Sequence, residues 1–176
     1  MSRIAKKTLS VPSDVHLSFN DGKNLIITGK LGSVNVFLSK GVSVDLTNGV
    51  KFFLVDQNTY DPSIGSVFAE TENAIQDVSN GYSASIKMIG VGFKANLDAN
   101  FLRLFIGLSH DVIFVVPSYL KIKILDDTNF TINGFNRDSV MKFAKAIRTM
   151  KKPEPYNGKG IMINGEFVRR KEGKKK

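Results

Sequence analysis

The residues best suited to chemistry lie in one short segment, residues 153–161, which reads Pro-Glu-Pro-Tyr-Asn-Gly-Lys-Gly-Ile. Prolines stiffen its start, and glycines free the backbone near its end. Because Gly158 and Gly160 flank Lys159 without side-chain bulk, backbone amides and the ammonium group can approach phosphate oxygens together. Tyr156 can stack on a base or a sugar, and packing of its ring on its own domain is an equal alternative. The segment is predicted to contact nucleic acid.

Positive charge is concentrated around this segment. Residues 137–176 hold 13 Lys plus Arg and 4 Asp plus Glu, whereas residues 1–136 hold 12 of each, so the whole net charge of +9 lies at this end. Such an excess suits a polyanion, either nucleic acid or an anionic membrane, and a solvated face or disordered tail is the simpler alternative. The candidate nucleic-acid-binding residues are Lys142, Lys145, Arg148, Lys152, Tyr156, Asn157, Gly158, Lys159, Gly160, Arg169, Arg170, Lys171, Lys174 and Lys175.

Two other motifs could carry catalysis, but both lack the necessary context. Residues Gly90–Ala95 match the dinucleotide pattern G-x-G-x-x-A, yet a strand is predicted to follow the glycines where pyrophosphate needs the N-terminus of a helix. Ser109, His110 and Asp111 are contiguous and point alternately to opposite sides of an extended chain, so they cannot form a catalytic triad. The chain also has no Cys. We therefore expect no enzymatic activity, no metal and no cofactor.

The elements that position these residues follow from hydrophobic periodicity. Alternating apolar residues predict antiparallel strands through most of the first half and again after Gly81. Apolar residues at helical spacing from Ile64 to Val78 predict a helix that ends at Gly81. The exposed side of this helix is predicted to be acidic, and its members are Glu70, Glu72 and Asp77.

A second helix is predicted after Asn136, which is a plausible N-cap with Asp138 in the first turn. Its apolar stripe consists of Val140, Phe143, Ala144, Ile147 and Met150, and its other side carries Lys142, Lys145 and Arg148, with Lys152 just beyond. Asn164 and Gly165 predict a tight turn between strands at 161–163 and 167–168.

The two halves are similar when one is shifted by 105 residues. In that alignment Val15, Leu17, Phe19, Leu25 and Ile27 fall on Leu120, Ile122, Ile124, Phe130 and Ile132. Two hairpins with equal loops could share this alternation by chance, but matching turn residues favour an internal duplication. The prediction is an α+β protein with two tandem domains, 1–81 and 82–152, each an antiparallel sheet packed with a helix, followed by a basic RNA-binding extension, 153–176.

The order of these motifs resembles the family of large-subunit ribosomal protein number six of the bacterial-type ribosome, nearly end to end. The residues that carry the resemblance are Ser2–Ile4, Lys6, Lys7, Val11, Pro12, Gly90–Ala95, Gly107–His110, Ala146–Arg148, Pro153–Ile161 and Arg169–Lys175. The resemblance implies two duplicated domains and a structural role in the large ribosomal subunit. It also implies that the C-terminal domain and tail bind large-subunit rRNA near the sarcin-ricin loop and the translation-factor site.

The same resemblance implies neighbouring large-subunit proteins as partners, translation factors nearby, no membrane contact and no homo-oligomer. The sequence departs from the family pattern at three places. Asn157 stands where the family has Lys, Ala5 stands where it has Gly, and the first helix matches the pattern poorly. One cationic phosphate contact is therefore in doubt, and contacts of the N-terminal domain transfer least safely.

A polybasic peripheral membrane protein is the alternative function, although neither an apolar wedge nor a lipidation site accompanies the cations. No apolar run reaches the roughly 20 residues of a membrane-spanning helix, and no secretory signal is predicted at the N-terminus. The 14 Asn, 15 Ile and 13 Phe indicate an AT-rich gene. We therefore favour a mitochondrially encoded member of the family over one from a bacterial cytoplasm.

Overall fold

The fold is taken from a computed structural model, which describes residues 7–20, 24–39, 41–46, 49–54 and 62–173. The chain divides into two compact units, Met1–Gly81 and Tyr82–Lys176. Each unit has its own hydrophobic core of strand and helix residues. The predicted α+β class is confirmed. No helix in the described ranges is long and apolar enough to span a membrane.

The first unit combines strands with one long helix. Its elements are β1 (His16–Asn20), β2 (Asn24–Thr28), β3 (Ser33–Phe37), β4 (Val42–Asp45), β5 (Lys51–Leu54) and α1 (Ser63–Asn80). Strands β1, β2 and β3 form an antiparallel sheet in that order, and β4 pairs with β5. An isolated antiparallel bridge joins Leu9 to Val50. The first half is therefore largely antiparallel sheet, as its alternating pattern predicts.

Helix α1 forms where the sequence predicts it, because one stripe of its surface is apolar and buried. Ile64, Phe68 and Val78 lie in the core of the first unit. Gly81 ends the helix at φ 78°, and its N–H donates to the carbonyl of Asp77 at 2.8 Å. The predicted acidic side is partly wrong, because Asp77 is only 3% exposed and belongs to the packed face.

The second unit contains the predicted RNA-binding residues. Its elements are β6 (Tyr82–Ile89), β7 (Lys94–Asp98), β8 (Phe101–Phe105), β9 (Val112–Val115), β10 (Leu120–Asp126), β11 (Asn129–Gly134), α2 (Arg137–Met150) and β12 (Gly160–Ile163). Four strands form a sheet in the order β10-β11-β6-β12, and β7-β8-β9 form a second sheet. All pairs are antiparallel. Helix α2 packs on β6, β11 and β12.

The order of elements repeats between the units and supports the internal duplication. The Leu9 bridge, β1 to β5 and α1 correspond in order to β6, β7 to β11 and α2. The three-stranded sheet β1-β2-β3 thus matches β7-β8-β9, and the pair β4-β5 matches β10-β11. The 105-residue shift is wrong, because it aligned β1-β2 with a hairpin from the other sheet. Every half-buried hairpin alternates with a period of two, so alternation alone cannot identify the matching hairpin.

The predicted boundary between residues 152 and 153 has no counterpart in the sheet. Strand β12 pairs with β6 along four residues, from Gly160 opposite Ile89 to Ile163 opposite Ile86. Ile161 is fully buried in the core of the second unit. Residues 160–163 are therefore part of the folded domain, and only the chain after them can act as an extension.

Candidate nucleic-acid interface

Helix α2 fixes the first group of candidate residues. Asn136 caps it as predicted, since its Oδ1 accepts hydrogen bonds from the N–H of Asp138 at 2.9 Å and of Ser139 at 3.3 Å. The carboxylate of Asp138 lies in the first turn, where it complements the helix dipole. Lys142 and Lys145, three residues apart, share one exposed side of the helix. These two ammonium groups therefore form one basic helical face.

The opposite side of α2 is the predicted apolar stripe, with one exception. Val140, Ala144 and Ile147 are fully buried, and Phe143 packs against the core and meets Phe114 edge to face. Met150 is 44% exposed at the last turn. Met150 is the last residue of α2, so the buried part of the stripe ends one turn earlier, at Ile147.

Arg148 has a structural partner. Its Nε donates to Oε2 of Glu166 at 2.6 Å, and its Nη2 donates to Oε1 at 2.5 Å. These hydrogen bonds raise the pKa of the guanidinium above its ordinary value. The pair joins the last turn of α2 to the turn after β12, so two of the guanidinium nitrogens are committed to the fold. Arg148 is thus a weaker RNA-binding candidate than its sequence position indicates.

The loop between α2 and β12 is closed by backbone hydrogen bonds. Ile161 N–H donates to the carbonyl of Lys151 at 2.9 Å, and Glu154 N–H donates to the carbonyl of Lys159 at 2.8 Å. Gly158 N–H donates back to the carbonyl of Glu154 at 2.9 Å. We call residues 153–160 the basic loop. These hydrogen bonds fix the backbone of the loop, so its exposed side chains project from an ordered backbone.

The two glycines of the basic loop serve this closure. Both are buried, at φ 70° for Gly158 and φ 146° for Gly160. A Cβ on Gly160 would lie 2.5 Å from Pro153 Cα and 2.7 Å from the carbonyl oxygen of Lys152. The sequence-based explanation, in which bare glycines let phosphate approach, is therefore wrong for Gly160. Because Gly160 has no side chain, the backbone of Lys152 and Pro153 can pack directly against it.

The exposed side chains of the basic loop are a ring, an amide, an ammonium group and the carboxylate of Glu154. Tyr156 is 54% exposed, and Asn157 and Lys159 are exposed on either side of Gly158. The ring of Tyr156 is thus not enclosed by its own domain, which leaves a face for stacking. Lys152, just before the loop, is exposed as well.

The chain after β12 returns to the basic loop. Asn164 and Gly165, at φ 49° and 69°, form the predicted tight turn, with Glu166 N–H donating to the carbonyl of Ile163 at 3.0 Å. The predicted second strand at residues 167–168 does not form. Strand β12 is therefore at the edge of its sheet, and the returning chain bonds instead to the basic loop.

Residues 169–171 are fastened against the basic loop. Lys171 N–H donates to the carbonyl of Pro155 at 3.0 Å. The guanidinium of Arg170 covers Gly158, with its Nη2 3.5 Å from the place where a Cβ would stand. Arg169, Arg170 and Lys171 are all exposed. Candidates Lys174 and Lys175 lie outside the described residues.

A cleft beside the basic loop includes residues that sequence reasoning missed. Its volume is about 490 Å³, and its lining includes three lysines and one carboxylate, namely Lys151, Lys152, Lys159 and Glu154. Residues of the turns around Gly90 and Gly107 complete the lining. Lys151 was not among the predicted residues, although the Lys151-Lys152 pair before Pro153 was a usable signal. Three lysines and one glutamate therefore line one cleft.

The motifs considered for catalysis occupy ordinary structural positions. A turn at residues 90–92 leads directly into β7, so no helix N-terminus is present to hold pyrophosphate. A Cβ on Gly90 would lie 2.6 Å from the ring of Phe93, so this glycine permits a close ring contact. Ser109, His110 and Asp111 are exposed in the loop between β8 and β9.

The charged groups of this surface are mostly unpaired cations. Among the described residues, Lys142, Lys145, Lys152 and Lys159 form no ion pair. The carboxylates nearby in sequence are Asp138, Glu154 and Glu172, which are exposed, and Glu166, which is paired with Arg148. Unpaired cations on a fixed backbone can neutralise the phosphates of a nucleic acid without breaking internal contacts.

Comparison with known proteins places these features in a family. Residues 89–163, which span β7 to β12, match the model of the family "Ribosomal protein L6". The large ribosomal subunit protein uL6 of Metamycoplasma arthritidis is 36% identical over 176 residues, covering 99% of this chain and 98% of that protein. The uL6c protein of Pyropia yezoensis is 36% identical over 99% of this chain and 97% of its own length. Sphingopyxis alaskensis uL6 is 36% identical over the full length of both. The duplicated α+β fold and these full-length identities show that the chain belongs to the ribosomal protein L6 family, a family of structural proteins and not of enzymes.

Proposed function

We propose that this protein is a structural constituent of the large ribosomal subunit and binds large-subunit rRNA through its second unit. The observation that carries the proposal is the contact of residues 169–171 with the basic loop, through the Lys171–Pro155 hydrogen bond and the packing of Arg170 on Gly158. It brings residues 169–171 back to the loop that carries Lys159, across the eight residues between them, and Lys152, Lys159 and Arg170 are all exposed. The names of the relatives, which are large-subunit proteins, support the same role.

The surface suits a nucleic-acid backbone for specific reasons. Lys159 and Arg170 supply the charge that displaces counterions, and Arg170 also offers a planar fork of donors for phosphate oxygens. Tyr156 offers an exposed ring on which an unpaired base can stack. Lys142 and Lys145 extend the charge along α2. Asn157 takes the place of a cation with a neutral amide, which can still donate a hydrogen bond to a phosphate or a 2′-hydroxyl.

The finer assignments belong to the proposal as well. The surface is proposed to meet rRNA near the sarcin-ricin loop and the translation-factor site, with large-subunit proteins as neighbours and translation factors close by. The chain acts as a single copy and does not form a homo-oligomer. We favour a mitochondrial ribosome over a bacterial one on composition alone, since the relatives named above do not distinguish the two.

The proposal is tested by sedimenting a native extract on sucrose gradients at moderate and at high salt while following this chain and the large rRNA. Co-migration with the large subunit at moderate salt and release at high salt are expected, because each phosphate contact contributes roughly 0.7 to the log-log salt slope. A chain that stays at the top of both gradients would refute the proposal. Recovery of the chain with anionic vesicles in that case would favour the membrane alternative.

A further inference from the structure

A second basic surface lies on the four-stranded sheet of the second unit. Along β6, Ala84, Ile86 and Met88 are buried in the core that includes α2. The residues of β6 that alternate with these three therefore point to the opposite side of the sheet. Those residues are Ser83, Ser85 and Lys87, and all three are exposed.

The neighbouring strands continue this side of the sheet with residues of the same kind. Thr131 on β11 stands opposite Ser85 on β6 and opposite Lys123 on β10. Lys121, two residues before Lys123, is about 7 Å away along the same strand. Both lysines are exposed. Paired residues point to the same side of a sheet, so Asn129 and Asp126 in the row of Lys87, Asn133 in the row of Ser83, and Met162 opposite Lys87 belong to this side as well. We call this surface the outer sheet face, and its members are Ser83, Ser85, Lys87, Lys121, Lys123, Asp126, Asn129, Thr131, Asn133 and Met162.

The charge of the outer sheet face is positive and unpaired. No described residue forms an ion pair with Lys87, Lys121 or Lys123. The four strands of this sheet contain one carboxylate, Asp126, at the end of β10, where it accepts a hydrogen bond from Asn129 at 3.0 Å. Three ammonium groups therefore face solvent against one carboxylate at the margin.

The composition of this face indicates which polyanion it fits. The centres of protein–protein interfaces are enriched in Tyr, Trp, Phe, Met and Arg and depleted in Lys and Ser. The face has one residue of the first kind, Met162 at its edge, against three lysines and two serines, so it is a poor match for a protein partner. Lysines with interspersed hydroxyl groups are the side chains that contact phosphates and sugars of nucleic acids. A flat face across three strands also suits an RNA backbone, which runs along a surface and needs no pocket.

We propose that the outer sheet face is a second RNA-binding surface, which contacts the phosphate backbone of an rRNA segment different from the one that follows Lys142 and Lys145 on α2. The inference rests on the proposed function, since it takes rRNA as the partner. The outer sheet face and α2 lie on opposite sides of the same sheet, so one straight RNA segment cannot follow both. The second unit is accordingly held between two RNA segments.

The test uses the full-length protein and deproteinised large-subunit rRNA. The sheet variant K87Q/K121Q/K123Q is compared with a control variant, K7Q/K30Q/K51Q, which removes the same charge from exposed residues of the first unit. Hydroxyl-radical footprinting locates the protected rRNA, and filter binding over a range of salt gives the slope. Acetylation of lysines in the wild-type protein, with and without rRNA, measures protection of Lys87, Lys121 and Lys123 independently of any substitution.

We expect the wild-type protein to protect two rRNA segments, and the sheet variant to lose one of them and keep the other. Its salt slope should fall by about 2, which corresponds to up to about 100-fold weaker binding at 0.1 M salt. A sheet variant that keeps both footprints, a control that loses as much affinity, or lysines on this face that acetylate equally with rRNA would overturn the inference alone. A wild-type protein that protects no rRNA would instead overturn the proposed function, and the inference with it.

Discussion

Replacing Gly160 with alanine tests whether the basic loop is held by backbone packing. The new Cβ would lie 2.5 Å from Pro153 Cα and 2.7 Å from the carbonyl oxygen of Lys152, and both are main-chain atoms that cannot rotate away. The φ of 146° is also a conformation that residues with side chains rarely adopt. Backbone strain of this kind costs about 1–3 kcal/mol, and overpacking in a fixed site costs about 1–3 kcal/mol more.

Gly165→Ala is the matched control. Gly165 also has a positive φ, 69°, but nothing lies within 4 Å of an added Cβ. The control should lose only about 1–2 kcal/mol, which is the cost of the left-handed conformation. The difference between the two variants therefore isolates the steric contact, and we expect G160A to be the less stable by at least about 1 kcal/mol.

The measurement combines urea unfolding with hydrogen exchange of the Ile161 amide, which donates to Lys151 across the closed loop. Exchange reports the second unit alone, which matters because two compact units need not unfold in one step. Faster exchange at Ile161 in G160A than in G165A is expected. Equal stability and equal exchange in the two variants would refute the packing argument for Gly160.

Three further predictions concern the ion pair, the ring and the C-terminus. Glu166→Gln should lower the free energy of unfolding by about 1 kcal/mol, because Arg148 loses a partly exposed charged acceptor, and an unchanged melting temperature would contradict this. Tyr156→Ala should weaken RNA binding by about 1–3 kcal/mol while Tyr156→Phe preserves it in filter binding, and equal losses would exclude stacking. Truncation after Val168 should leave the circular dichroism spectrum unchanged and reduce the salt slope of RNA binding. Truncation after Lys152 should unfold the second unit, because it removes β12. A native melting curve for the chain that ends at Lys152 would contradict this.

The predictions that are correct depend on signals within one or two turns of chain. The N-cap at Asn136, the end of α1 at Gly81 and the turn at Asn164 and Gly165 all follow from local hydrogen bonding and permitted φ values. The second helix and most of its apolar stripe follow from periodicity in the same way. These features were predictable because the residues that decide them are neighbours in sequence.

The errors concern contacts between distant residues. The 105-residue shift joined hairpins from different sheets, since sheet membership depends on which strands pair across the fold. Arg148 resembled a free cation because Glu166, its partner, is 18 residues away. Strand β12 was assigned to a tail because its partner, β6, begins 78 residues earlier.

The sequence by itself determined the class of fold, the family and the concentration of charge in the last 40 residues. Composition, periodicity and ordered motifs are properties of the linear chain, so no structure is needed to obtain them. The tertiary structure alone decided which cations are unpaired and which share a surface. It hydrogen-bonded Lys171 to Pro155, and it placed Lys87, Lys121 and Lys123 on one side of the same sheet although their part of the chain has balanced charge. The reason is physical, because a side chain binds a partner only where folding leaves its charge exposed and uncompensated.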